Sequence, residues 1–160
     1  MLGYAGALLI FAGGTLAGLA ASGMYRLRAA QLEAFCKLIA HIRAQIECYR
    51  APLDAIYIGY RNEVLEACGF LGAARTSDGA RALEACRGRL YITGDELCEL
   101  EKFFASLGRH GAGEETSHCA YFEKRIGDFA AACRGELPKR ARLCRTFGML
   151  GGFLLAILLL

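Results

Sequence analysis

The stretch Gln31 to Tyr49, QLEAFCKLIAHIRAQIECY, places Leu32, Phe35, Ile39, Ile42, Ile46 and Tyr49 at successive spacings of 3, 4, 3, 4 and 3. An α-helix turns once in about 3.6 residues, so those six side chains line one face of it. A strand alternates with period two, and no such alternation appears in the middle of this chain. The stretch therefore sets the fold class as all-α. The flanking sequence extends it to an antiparallel bundle of about six helices, with a membrane helix at each end.

Moving toward the C-terminus, Pro52 ends the first helix near Arg50 or Ala51, because the residue before a proline is pushed out of helical geometry. Ile56, Tyr60, Val64 and Cys68 predict a second helix, closed by Gly69. A loop is expected around Gly72 to Asp78, where Ser77 or Asp78 caps a helix running through Arg89. Thr93-Gly-Asp-Glu96 has the spacing of a capping box. Behind it, Leu97, Leu100, Phe103, Phe104 and Leu107 form an apolar face, and Gly108 suits a helix stop. A glycine-rich loop, Gly108 to Gly113, leads into a helix bearing Cys119, Phe122, Ile126 and Phe129. Pro138 is expected to start or kink the last helix.

The charge distribution divides the chain. All 19 basic and 16 acidic residues lie between Arg26 and Arg145. The expected organisation is an N-terminal transmembrane helix over 1–25, a cytoplasmic helical bundle over 26–145 and a C-terminal membrane helix over 146–160. Leu2 to Met24 makes about 34 Å of helix at about 1.5 Å per residue, against a hydrocarbon core of about 30 Å. A secretory signal is the other reading of this segment, with Ala20 to Gly23 resembling a cleavage site, but no basic residue precedes the apolar run. Phe147 to Leu160 makes about 21 Å, short for a span unless the bilayer thins or neighbours pack around it. Arg26 and Arg28 follow the first segment, and Lys139, Arg140, Arg142 and Arg145 precede the second. Basic residues stay on the cytoplasmic side, so these six act as topology determinants and place the middle domain in the cytoplasm. Gly14, Gly18 and Ser22 form a small-residue face suited to helix packing in the membrane.

A net charge of +3, without a basic stretch interleaved with aromatics, argues against nucleic acid as a partner. The eight cysteines are widely spaced and none forms CxxC. Several fall on apolar helical positions, which suits reduced thiols in a core better than a disulfide framework. His118 and Cys119 are adjacent, and neighbouring helical residues point about 100° apart, a poor basis for a shared metal or thiol site. Gly111-Ala-Gly113 lacks the GK[ST] of a phosphate loop. Glu114 and Glu115 suit the helix dipole, and Glu96, Glu99, Glu101 and Lys102 a solvated face. No catalytic, cofactor or metal residues are assigned, and the chain is not expected to be an enzyme.

The layout and the tail resemble the stage III sporulation protein AB family. The tail is Leu143 to Leu160, LCRTFGMLGGFLLAILLL: a basic-aromatic turn, a Gly-x-Leu-Gly-Gly step and a leucine/isoleucine terminus. Gln31-Leu32, the Pro52-Leu53 break and Ser106-Leu107-Gly108 also look like family landmarks. The chain departs from the family pattern at Gly111, where an Asp is usual, and at Glu115, where a Gln is. The resemblance implies a cytoplasmic domain similar to the F-type platform proteins of type II secretion. It also implies a place in the mother-cell membrane during endospore formation, in a secretion-like channel between mother cell and forespore. The partners it implies are membrane lipid, the secretion-type ATPase stage III sporulation protein AA, and other membrane subunits of the same complex. The alternatives are a platform-like adaptor of another secretion or pilus system, a membrane-tethered thiol enzyme using Cys119 and His118, and a secreted disulfide protein.

Overall fold

The computed structural model of the chain describes the backbone of residues 2–49, 53–109 and 111–158. Side chains are described for 23–49, 53, 55–109, 111, 113–136 and 146. Among the described residues every regular element is helical. In order they are α1 (Leu2–Tyr49), α2 (Leu53–Gly59), α3 (Glu63–Ala67), α4 (Phe70–Ala74), α5 (Gly79–Cys86), a 3-10 turn at Arg87–Arg89, α6 (Gly94–Ser106) and α7 (Ala112–Leu158).

Two compact units result. One comprises Met1–Leu27 with Ala132–Leu160, the other Arg28–Ala131. In the first, the buried thiol of Cys133 lies 3.9 Å from the carbonyl of Tyr25. No helix among the described residues is long and apolar enough to cross a membrane. The two segments expected to do so, Leu2–Met24 and Phe147–Leu160, lie almost wholly outside the residues whose side chains are described.

The second unit holds the main core. The stripe on α1 is fully buried at Leu32, Phe35, Ile39 and Ile42, with Leu38 joining it. It leaves the core at its far end, where Ile46 is half-buried and Tyr49 is 74% exposed. Five aromatic rings tie the helices together. Phe35 of α1 meets Phe70 of α4 edge-on at 5.1 Å, Phe70 meets Phe104 of α6 at 5.2 Å, and Phe103 meets Phe122 of α7 at 5.5 Å. Such pairs contribute about 0.5–1.5 kcal/mol each beyond the apolar area they bury.

The helix inventory differs from the expectation of about six in three places. The expected second helix is two, because Asn62 starts a new one: its side chain accepts from the N–H groups of Val64 and Leu65, both at 3.1 Å. The i+4 run from Ile56 to Cys68 crosses this break, so periodicity alone hid it. Second, the loop expected from Gly72 begins later: α4 continues to Ala74, and only then does the chain turn before Asp78 caps α5. The cap is a 2.7 Å bond from the Arg81 N–H to Asp78 Oδ1. Third, Pro138 does not open a separate helix, since α7 is one element from Ala112 to Leu158. A proline inside a helix removes one N–H donor but does not by itself force a new start. Its side chain lies outside the described residues.

Candidate functional site

Two clusters of buried polar side chains stand out in the Arg28–Ala131 unit, whose interior is otherwise apolar. The first joins α1 to the start of α6. Glu96, expected on a solvated face, is only 2% exposed. Arg28 grips it with two prongs, Nε to Oε2 at 3.1 Å and an Nη to Oε1 at 2.6 Å. The same carboxylate accepts the Thr93 N–H at 2.7 Å, completing the predicted capping box. Burial pushes the Glu96 carboxyl upward, but the bonds from Arg28 and Thr93 outweigh it and hold the group below its ordinary range.

One helical turn along, Gln31 is 4% exposed and bridges the non-helical segment before α6. Its amide donates to the Arg89 carbonyl at 3.0 Å and accepts the Tyr91 N–H at 2.7 Å. A segment outside regular structure has backbone groups that need partners, and this side chain supplies two of them as a neighbouring strand would. Together Arg28 and Gln31 fix α1 against residues 89–96.

The second cluster lies where α6 ends and α7 begins. Gly108 turns the chain with φ at +81°, a conformation that a Cβ disfavours. Its N–H donates to Glu115 Oε1 at 3.0 Å, so Glu115, buried to 3% exposure, clamps the turn rather than only facing the helix dipole. His118, one helical turn on, places Nδ1 3.8 Å from Glu115 Oε1 and Nε2 2.8 Å from Ser106 Oγ. Its ring stacks on Phe103 at 5.7 Å and meets Phe122 at 4.9 Å. Cys119 is fully buried beside them. Ligand atoms of Glu115, His118 and Cys119 all lie within 4.8 Å of one another. Burial first, and then the Glu115 carboxylate, push the Cys119 thiol up to about 12.

All seven described cysteines are free, with Cys68, Cys86, Cys119 and Cys133 buried. The thiols of Cys68 and Cys86 donate to the carbonyls of Leu65 and Leu83, at 3.4 and 3.3 Å.

Of the six expected topology residues, Arg26 is exposed and Arg28 is part of the first cluster. Arg28 therefore has a structural task whatever it does at a membrane. The side chains of Lys139, Arg140, Arg142 and Arg145, and those of Gly14, Gly18 and Ser22, lie outside the described residues. Sequence reasoning missed Glu96 as a buried anion and Glu115 as a neighbour of the His118–Cys119 pair. For Glu115 a signal existed, because positions 115, 118 and 119 are related as i, i+3 and i+4 and share a helix face. The departure at Gly111 falls immediately before α7, where its carbonyl accepts the Glu115 N–H at 2.8 Å.

No curated protein and no solved structure significantly matches the chain. A family model does, that of stage III sporulation protein AB, over residues 3–75 and 79–160. With essentially the whole length matched, the chain belongs to the stage III sporulation protein AB family and is a sporulation-related protein.

Proposed function

We propose that the protein is a non-enzymatic, membrane-anchored assembly component of a sporulation-specific, secretion-like channel between mother cell and forespore. In this reading residues 26–145 face the mother-cell cytoplasm and dock the channel's ATPase, stage III sporulation protein AA. The apolar ends pack with membrane lipid and with other membrane subunits.

The observation that carries the proposal is the family match across the two ends and the middle alike. Three features support the finer reading. The charged residues are confined to 26–145, with basic residues at both borders, as a cytoplasmic domain tethered at its ends requires. The Arg28–Ala131 unit has a full aromatic core of its own, so it is a firm body for a partner to bind. Tyr49, Ile58, Tyr91 and Tyr121 on that unit are 46–74% exposed, large side chains of the kind that anchor protein contacts.

The test is reconstitution. The full chain, purified in detergent, is mixed with the purified ATPase and run by size exclusion. A complex that saturates with added ATPase is expected, and it should weaken when exposed aromatics such as Tyr49 and Tyr121 are replaced by alanine. Separate elution of the two proteins at high concentration, with the chain shown helical by circular dichroism, would overturn the docking role.

A further inference from the structure

We infer that Lys139, Arg140, Arg142 and Arg145 of α7 form a binding site for anionic phospholipid headgroups, and that this turn, rather than Arg26, marks the level of the membrane surface. The inference rests on the membrane anchoring proposed above and names the lipid. The unit formed by Met1–Leu27 and Ala132–Leu160 carries six basic residues, Arg26, Arg134 and these four, against a single acidic one, Glu136. Its formal charge is therefore +5, while the whole chain carries only +3. The excess is concentrated, since four of the six fall within seven positions of one helix and no acidic residue follows Glu136. Basic residues clustered beside a membrane segment recruit anionic lipid.

The contact between Cys133 and Tyr25 fixes the height of this turn. The Cys133 thiol lies 3.9 Å from the Tyr25 carbonyl, so the two residues stand level within the unit. From there α7 runs unbroken to Leu158, and α1 extends back to Leu2. At about 1.5 Å per residue, Lys139 lies about 9 Å beyond the contact and Arg145 about 18 Å. The same distances back along α1 reach Leu19 and Gly13. The basic turn is therefore level with the stretch GGTLAGL, which has no ionisable residue. At this height α1 offers the four cations no carboxylate. Were the hydrocarbon to begin at Arg26, where the uncharged run from Met1 to Tyr25 ends, all four would be immersed in it, and Lys and Arg are strongly disfavoured there. The headgroup layer removes that conflict. It is about 5–8 Å thick on each side of the core, close to the about 9 Å of helix from Lys139 to Arg145. Residues 146–160 carry no charge, so α7 passes from the phosphates directly into hydrocarbon.

The experiment reconstitutes the full chain in phosphatidylcholine bilayers. Electron spin resonance then compares its association with spin-labelled phosphatidylglycerol and spin-labelled phosphatidylcholine. Phosphatidylglycerol is expected to be preferred at least about fivefold, the effect of a single basic residue near an anionic surface. The preference should shrink in about 1 M salt, where the screening length falls to about 3 Å. The combined variant Lys139→Gln, Arg140→Gln, Arg142→Gln, Arg145→Gln should lose it. The variant Arg61→Gln, Arg81→Gln, Arg109→Gln, Lys124→Gln removes the same charge from exposed positions of the central unit and should keep it. Equal association of the two lipids with the unmodified chain would overturn the site, as would a preference that survives in the Lys139–Arg145 variant. So would displacement of the lipid by inorganic phosphate at constant ionic strength, since the site would then take any phosphate. Flotation of the chain with the vesicles is scored separately. A missing preference on a chain that floats strikes the lipid site alone, and a chain that does not float overturns the membrane anchoring with it.

Discussion

The two buried polar clusters of the central unit both hold a backbone N–H through a buried carboxylate, one with a partner far along the chain and one within a single turn region. At Arg28–Glu96 every strong acceptor meets a strong donor: a forked guanidinium and a backbone N–H close on one carboxylate. At Glu115–His118–Cys119 the carboxylate holds the Gly108 N–H, the imidazole lies against the Ser106 hydroxyl, and polar atoms of the three side chains lie within 4.8 Å of one another. A closed cluster has no capacity left for a ligand and contributes to folding. The first ties α1 to the start of α6, and the second pins the turn between α6 and α7.

The largest effect that bears on this contrast is expected from Glu96→Ala. It strips a partly buried arginine of its partner and removes half of the capping box. Breaking a buried pair costs about 3–5 kcal/mol, read as a lowered urea midpoint of the full chain in detergent. Gln31→Leu comes next. It leaves the Arg89 carbonyl and Tyr91 N–H without their side-chain partner, at a cost of about 1–3 kcal/mol. Acid should act through the same clamp. Glu96 has a depressed folded pKa, so its contribution is complete above the unfolded value of about 4.3 and is lost as pH falls through the lower folded value. The midpoint of the parent chain should therefore fall more steeply below that pH than the midpoint of Glu96→Gln. The smallest effect belongs to the other cluster. Glu115→Gln retains an oxygen for the Gly108 N–H and should cost about 1 kcal/mol or less. If Glu115→Gln proved the more damaging, the ranking of the two clusters would fail.

What the sequence disclosed depended on distance along the chain. The capping box was legible because Thr93 and Glu96 are three residues apart and their bonds are local. The other partner of Glu96 was not, since Arg28 is 68 residues away and only the packing of α1 brings it near. Gln31 was noticed as a landmark, but its bonds to Arg89 and Tyr91 span about 60 residues and no pattern announces them. The apolar stripe from Leu32 to Ile42 was readable from period alone, while its emergence at Tyr49 depends on where the other helices end. The His118–Cys119 pair was set aside because successive residues diverge by about 100° around a helix. That rule holds for Cβ directions. Here the third group, Glu115, has enough reach to bring all three ligand atoms together.

Membership of the family makes the protein sporulation-related, and the role proposed for it is most directly tested in cells. The measurement is the heat-resistant spore titre of an in-frame deletion, with and without a complementing copy. The account predicts that the titre collapses, that complementation restores it, and that vegetative growth is normal throughout. An unchanged titre in the deletion strain would contradict it.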